Sequence, residues 1–135
     1  MIPAKYIMCK KAAVNKGMSG REIVYKMMGL GCSGLPVVDE ESEVVGVVSM
    51  CDILKAAHEK GSAMNDITAA QVMSKAPATA GPETSIEDLS KMMVENNYSF
   101  IPIVKGKKLL GIVSGRDIVE TYVEPQLYSA MEEQL

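Results

Sequence analysis

Two four-residue stretches hold the side chains best suited to chemistry. Ser49-Met50-Cys51-Asp52 and Ser114-Gly115-Arg116-Asp117 each set a hydroxyl three residues ahead of a carboxylate. An ionised carboxylate accepts hydrogen bonds from two neighbouring hydroxyls, such as those of a sugar ring, and its charge strengthens both. A serine hydroxyl beside the amides of a helix N-terminus suits a phosphate. The same spacing is also a helix cap, serine at N-cap and aspartate in the first turn, worth about 1 kcal/mol with no ligand at all. Spacing alone favours the cap. Recurrence of the pattern shifts the reading toward ligand contact, for Asp117 before Asp52.

The surroundings of the two stretches differ. The Arg116 guanidinium can grip a phosphate with two parallel donors, and Cys51 at the matching place cannot. Thr79 offers a hydroxyl where the first copy is read to have Val14. A flat, apolar ring needs a slot edged by backbone polar groups. Ser99-Phe100-Ile101-Pro102 with Ala78-Thr79-Ala80 can form one, and Ser33-Gly34-Leu35-Pro36 with Ala12-Ala13-Val14 is the first-copy equivalent. The plainer role for these apolar residues is core strand, and most are expected to do both.

Other chemistries find no support. His58 is the single histidine, set in a polar stretch, with no second ligand at metal spacing. Cys9, Cys32 and Cys51 are odd in number and form no C-x-x-C, which argues against disulfides and zinc; each is expected to pack as a small hydrophobe. There is no nucleophile–base pair, Walker sequence or G-x-G-x-x-G, so catalysis is not expected. The net charge is -3 and Lys105, Lys107 and Lys108 read as a solvated turn, so nucleic acid is not an expected partner. No apolar run approaches a membrane span, and Met1 to Lys5 lacks a signal-peptide pattern, which makes the cytoplasm the expected location.

The elements that position these residues occur twice. Ser33-Gly34-Leu35-Pro36-Val37-Val38 followed by Gly46-Val47-Val48-Ser49 matches Ser99-Phe100-Ile101-Pro102-Ile103-Val104 followed by Gly111-Ile112-Val113-Ser114. The prolines lie 66 apart and the aspartates 65 apart, so one connecting turn is a residue shorter. Each copy reads as βαββα. In the second, Thr84 or Ser85 caps a helix whose Ile86, Leu89, Met92 and Met93 share a face, and Asn96-Asn97 ends it. A hairpin turns at Lys105-Gly106-Lys107-Lys108, and a final helix runs from Ser114 to about Val123, before Pro125. In the first, a helix starts near Ser19 and ends at Gly29-Leu30-Gly31, the hairpin turns at Asp39 to Glu43, and a helix from Ser49 to about Glu59 closes the unit. The expected division is repeat 1 over 1–60, a short polar linker over 61–68, repeat 2 over 69–124 and a tail over 125–135. Leu127, Tyr128, Met131 and Leu135 make that tail a short amphipathic helix expected to dock on the protein's own core. A copy of about 60 residues buries little alone, so an α+β fold with two small sheets packed face to face is expected.

From about Ile7 to Val123 these residues resemble the CBS domain, found in pairs in the gamma subunit of AMP-activated protein kinase, in IMP dehydrogenase, in chloride channels and in small stand-alone bacterial and archaeal proteins. The marks are the hydrophobic-Pro-hydrophobic-Val strand and the closing Gly-hydrophobic-Val-Ser-x-x-Asp-Ile, twice and in order. The resemblance implies a pseudo-twofold pair with two clefts between the repeats, a homodimer, and adenosine ligands: AMP, ADP, ATP or S-adenosylmethionine-type molecules. On it rest Asp117, Ser114, Arg116, Thr79, Ser99, Phe100, Ile101 and Pro102 as ligand residues of the second copy. Asp52, Ser49, Gly34, Leu35 and Pro36 are those of the first. The kinase gamma subunit has basic or histidine residues just before the second strand, where this chain has Ser99-Phe100 and Ser33-Gly34. The expected function is a regulatory sensor of an adenine nucleotide acting on a separate effector protein, with no required cofactor and the better site nearest Asp117. The alternatives are a ligand-independent dimerisation module and a binder of S-adenosylmethionine-type ligands.

Overall fold

Four serines start four helices. The computed structural model describes residues 1–10, 12–75 and 78–133. In it Ser19, Ser49, Ser85 and Ser114 each sit at an N-cap in extended conformation, and each hydroxyl accepts the backbone N–H three residues on. The chain divides into two compact units, each built from discontinuous pieces: Ala12–Pro77 with Lys107–Leu109, and Met1–Lys11 with Ala78–Gly106 and Leu110–Leu135.

In the first of these, β1 (Val14–Asn15), α1 (Gly20–Leu30), β2 (Gly34–Val38), β3 (Val44–Ser49) and α2 (Met50–Lys60) follow the βαββα order. A 3-10 turn (Gly61–Asp66), α3 (Ala69–Val72) and β4 (Ser74–Lys75) complete it. The sheet order is β1-β2-β3-β4, with β1 parallel to β2 and the other pairs antiparallel. Asp39 shapes the β2–β3 turn: its Oδ1 accepts the N–H groups of Glu41 and Glu43. Those bonds, that from Glu43 foremost, hold its carboxyl below the usual carboxylate range. Leu35, Val37 and Val48 of the sheet and Ile23, Met27 and Ile53 of the helices are buried. The stretch after α2, read from sequence as a plain polar linker, is helical over Gly61–Asp66.

The second unit contains α4 (Ile86–Asn96), β5 (Phe100–Lys105), β6 (Lys108–Ser114) from Leu110 onward, α5 (Gly115–Val123) and α6 (Gln126–Glu133). Its core gathers Ile2, Ala4, Ile86, Leu89, Met93, Ile101, Ile103, Val113 and Ile118. Burying each of the larger side chains contributes about 1.5–3 kcal/mol. Asn97, at φ 56, closes α4 in the left-handed conformation that Gly31, at φ 65, supplies after α1. On α6, Tyr128 packs against this core while Leu127 stays exposed, and Tyr128 is the described part of the docking expected of the tail. The Met131 side chain and Leu135 lie outside the described residues.

Each unit is completed by the segment that precedes the other repeat. Residues 1–10 pack with the second copy: Pro3 bridges Ser85, Cys9 bridges Ile112, and Ile86 N–H donates to Ile2 O. Residues 67–75 do the same for the first copy: Thr68 bridges Ser19, Ser74 pairs with Val47, and Gly20 N–H donates to Ile67 O. Gly46 and Gly111 make room for the arriving backbones. A Cβ on Gly46 would meet Ser74 O at 2.7 Å, and one on Gly111 would meet Cys9 O at 2.6 Å. No side chain larger than hydrogen fits at either place.

Candidate functional site: two helix mouths

Both Ser-x-x-Asp stretches form complete capping boxes with the same geometry. In α5, Asp117 Oδ2 accepts Ser114 N–H at 2.8 Å and Ser114 Oγ at 3.0 Å, and Asp117 N–H donates back to Ser114 Oγ at 3.2 Å. In α2 the bonds between Ser49 and Asp52 measure 2.8, 3.0 and 3.2 Å. One carboxylate oxygen is thus committed to the cap. The other, Oδ1, takes part in none of these bonds and is the acceptor left for a ligand hydroxyl. Asp117 and Asp52 are both half-buried.

The amides at the mouths are less open than the sequence suggested. The first amide of α5, on Gly115, donates to Ser99 O at 3.1 Å, and that of α2, on Met50, donates to Ser33 O at 2.8 Å. The third donates to the capping serine. Among the first three amides this leaves that of Arg116, or of Cys51, outside those contacts. The Gly115 bond brings Ser99 beside Ser114, and in the first unit Gly34 pairs with Ser49 across β2 and β3. Strand ends and helix starts therefore meet within one unit in each case.

Side-chain exposure sorts the other candidates. Ser99 and Thr79 are exposed and Phe100 is half-buried, while Ile101 and Pro102 are buried, as are Gly34, Leu35 and Pro36. The buried members are core strand, and what they can offer a ligand is their backbone. Thr79 lies next to Ala80, whose N–H donates to Pro102 O at 3.0 Å and whose O accepts from Val104 at 2.8 Å. The register corrects one sequence comparison. Ala80 bridges Ile103 as Val14 pairs with Val37, so Val14 matches Ala80, and Thr79 matches Ala13.

Arg116 is exposed and paired: its Nε donates to Glu120 Oε1 at 3.3 Å, one helical turn on. Sequence reasoning passed over Glu120, although the i,i+4 spacing of opposite charges was there to read. The matching residues of α2 are Cys51 and Lys55. Lys55 lines a groove of about 230 Å³ on the flank of α2, with Asp52, Glu59, Lys60 and Gln71 at its rim and Ala56, Ile67 and Val72 below. That groove, too, was not foreseen, because α3 reaches α2 only through tertiary packing.

The cysteines correct another expectation: Cys9 and Cys51 are exposed rather than packed, and Cys32 is half-buried. His58 is exposed on α2. Among the described residues no group of three or more His, Cys, Asp or Glu is placed to hold a metal ion. No helix among them is long and apolar enough to cross a membrane.

The sequence profile of the CBS domain matches twice, over residues 4–59 and 69–124. An uncharacterized protein of Methanopyrus kandleri is 30% identical over 115 residues, which cover 84% of this chain and 58% of that protein. This chain thus spans less than two thirds of that relative's length. Two solved structures share the fold at low identity. CBSX2 in complex with AMP is 22% identical with a TM-score of 0.79, over 93% of this chain and 99% of that one. A CBS-domain pair in complex with 5'-methylthioadenosine and S-adenosyl-L-methionine is 24% identical with a TM-score of 0.82, over 93% and 98%.

Proposed function

The chain belongs to the CBS-domain family as a tandem pair, and from that premise we propose that it is a regulatory, non-catalytic module that binds an adenosine-containing ligand at the mouth of α5. An adenine nucleotide (AMP, ADP or ATP) is the first choice. The observation that carries this reading is the repeated capping box that spends one aspartate oxygen on the helix and leaves the other at the mouth. Asp117 Oδ1 accepts the ribose hydroxyls. The Arg116 amide and guanidinium face the phosphate end. Ser99, Phe100 and Thr79, at the strand ends beside them, border the base. CBSX2 with bound AMP and the pair with bound S-adenosyl-L-methionine support the ligand class. The bound state is read by a separate effector protein, to the extent that the ligand prefers one arrangement of the chain over another.

A second reading has its own observation. Both boxes are complete caps without a ligand, and α5 exposes Val119, Tyr122 and Val123 while α2 exposes Leu54. On that reading the module acts as a homodimer through these faces, and the aspartates only stabilise helices. A melting scan with AMP, ADP, ATP and S-adenosyl-L-methionine separates the two. A true ligand at 100 times its Kd adds about 2.7 kcal/mol of stability. No shift with any of the four contradicts the sensor reading.

A further inference from the structure

The two helix mouths share a capping geometry and differ in charge one turn further along. Position 65 residues apart by position, Cys51, Asp52 and Lys55 in α2 stand where Arg116, Asp117 and Glu120 stand in α5. In α5 the cation at the mouth is held by Glu120 at 3.3 Å, with side chains 78% and 51% exposed. In α2 the cation has moved to the place of Glu120, and no acidic side chain is ion-paired to Lys55 among the described residues.

We propose that Glu120 is a specificity-determining residue of the α5 mouth: by occupying the Arg116 Nε it weakens the hold on phosphate and leaves the hold on ribose and base untouched. This rests on the adenosine-binding reading above. The chemistry is competition. Arg116 can pair with the Glu120 carboxylate along its own helix or swing to a ligand phosphate, and the first must be surrendered for the second. The carboxylate also stands within a turn of the incoming anion and repels it. An uncharged adenosine has no phosphate to compete for and is indifferent to both effects. The consequence is a site tuned toward ligands of low negative charge, down to uncharged or sulfonium-bearing adenosines, relative to one with a free arginine.

The test is a titration of AMP and of adenosine into the full chain and its Glu120→Gln variant. The change is on an exposed face, and a thermal melt of each variant checks that it folds. An exposed i,i+4 pair of opposite charges carries a factor of roughly two in water. AMP is therefore expected to bind about twofold tighter to Glu120→Gln, with adenosine unchanged, and the gain is expected to shrink as salt rises. Glu120→Lys, which copies Lys55, is expected to go further in the same direction. In an Arg116→Met background most of the gain is expected to vanish. An unchanged AMP-to-adenosine ratio, or a gain that persists in full without Arg116, would overturn the role of Glu120. Wild-type protein that binds neither molecule would instead overturn the adenosine reading beneath it.

Discussion

The α5 mouth and the α2 mouth are built alike and charged differently. Each begins with a serine on a strand end, each closes a capping box at the same three distances, and each draws its first amide to the residue ahead of the first strand of the hairpin before it. Around that frame the side chains diverge: Arg116 tied to Glu120 in one, Cys51 with Lys55 on a groove in the other. The frame is demanded by helix and sheet geometry, so duplication preserves it. The flanking charges cost the fold little, since an exposed i,i+4 pair is worth only about 0.3–0.5 kcal/mol. They are free to differ between the two mouths. The lesson is that likeness of scaffold does not make the two mouths equivalent.

The comparison can be broken at the scaffold first, where the largest effects lie. Gly46→Ala and Gly111→Ala each drive a Cβ into backbone of the segment arriving from ahead of the other repeat. Both are expected to lower stability by about 1–3 kcal/mol in urea unfolding. A loss at one glycine alone would mean that the two exchanged segments are not equivalent. Ser49→Ala and Ser114→Ala come next, each removing an N-cap at a cost of about 1 kcal/mol. Equal losses in the two variants would confirm that the capping boxes are energetically alike, and a twofold disparity would sharpen the difference between mouths into one of structure.

The smallest effect concerns the hairpin turns. Asp39 accepts backbone N–H groups in the first turn, which lowers its carboxyl pKa, and the matching turn at Lys105 to Lys108 has no carboxylate. A lowered folded-state pKa favours the folded form above the ordinary carboxylate value of about 3.9, and the benefit fades as pH falls through the lower folded value. Melting temperature followed from pH 7 to pH 2 is expected to fall slightly less in Asp39→Asn than in the parent, with the two curves converging at the acid end.

Much of this was legible in the residues themselves. Ser19, Ser85 and Asn97 marked helix ends by local chemistry, and the strands around Pro36 and Pro102 were fixed by a pattern that occurs twice. The Ser-x-x-Asp spacing announced both a cap and a candidate site, and the cap is present in both places. What escaped reading was set by distant contacts. Nothing local in Met1 to Lys10 says that it completes the second copy, and the one-residue offset of Thr79 against Val14 emerged only from strand register. Cys9 and Cys51 were expected inside on composition alone, and their exposure follows from positions at a sheet edge and an outer helix face.

The central claim is that the acidic group of the α5 mouth, more than that of the α2 mouth, takes the ribose of an adenosine ligand. Isothermal titration of AMP into the parent, Asp117→Ala and Asp52→Ala tests it directly, with a melt of each variant to correct for the lost cap. The account predicts one dominant binding event that weakens tenfold or more in Asp117→Ala and survives in Asp52→Ala. Two equal events in the parent, or an affinity that Asp117→Ala leaves unchanged, would contradict it.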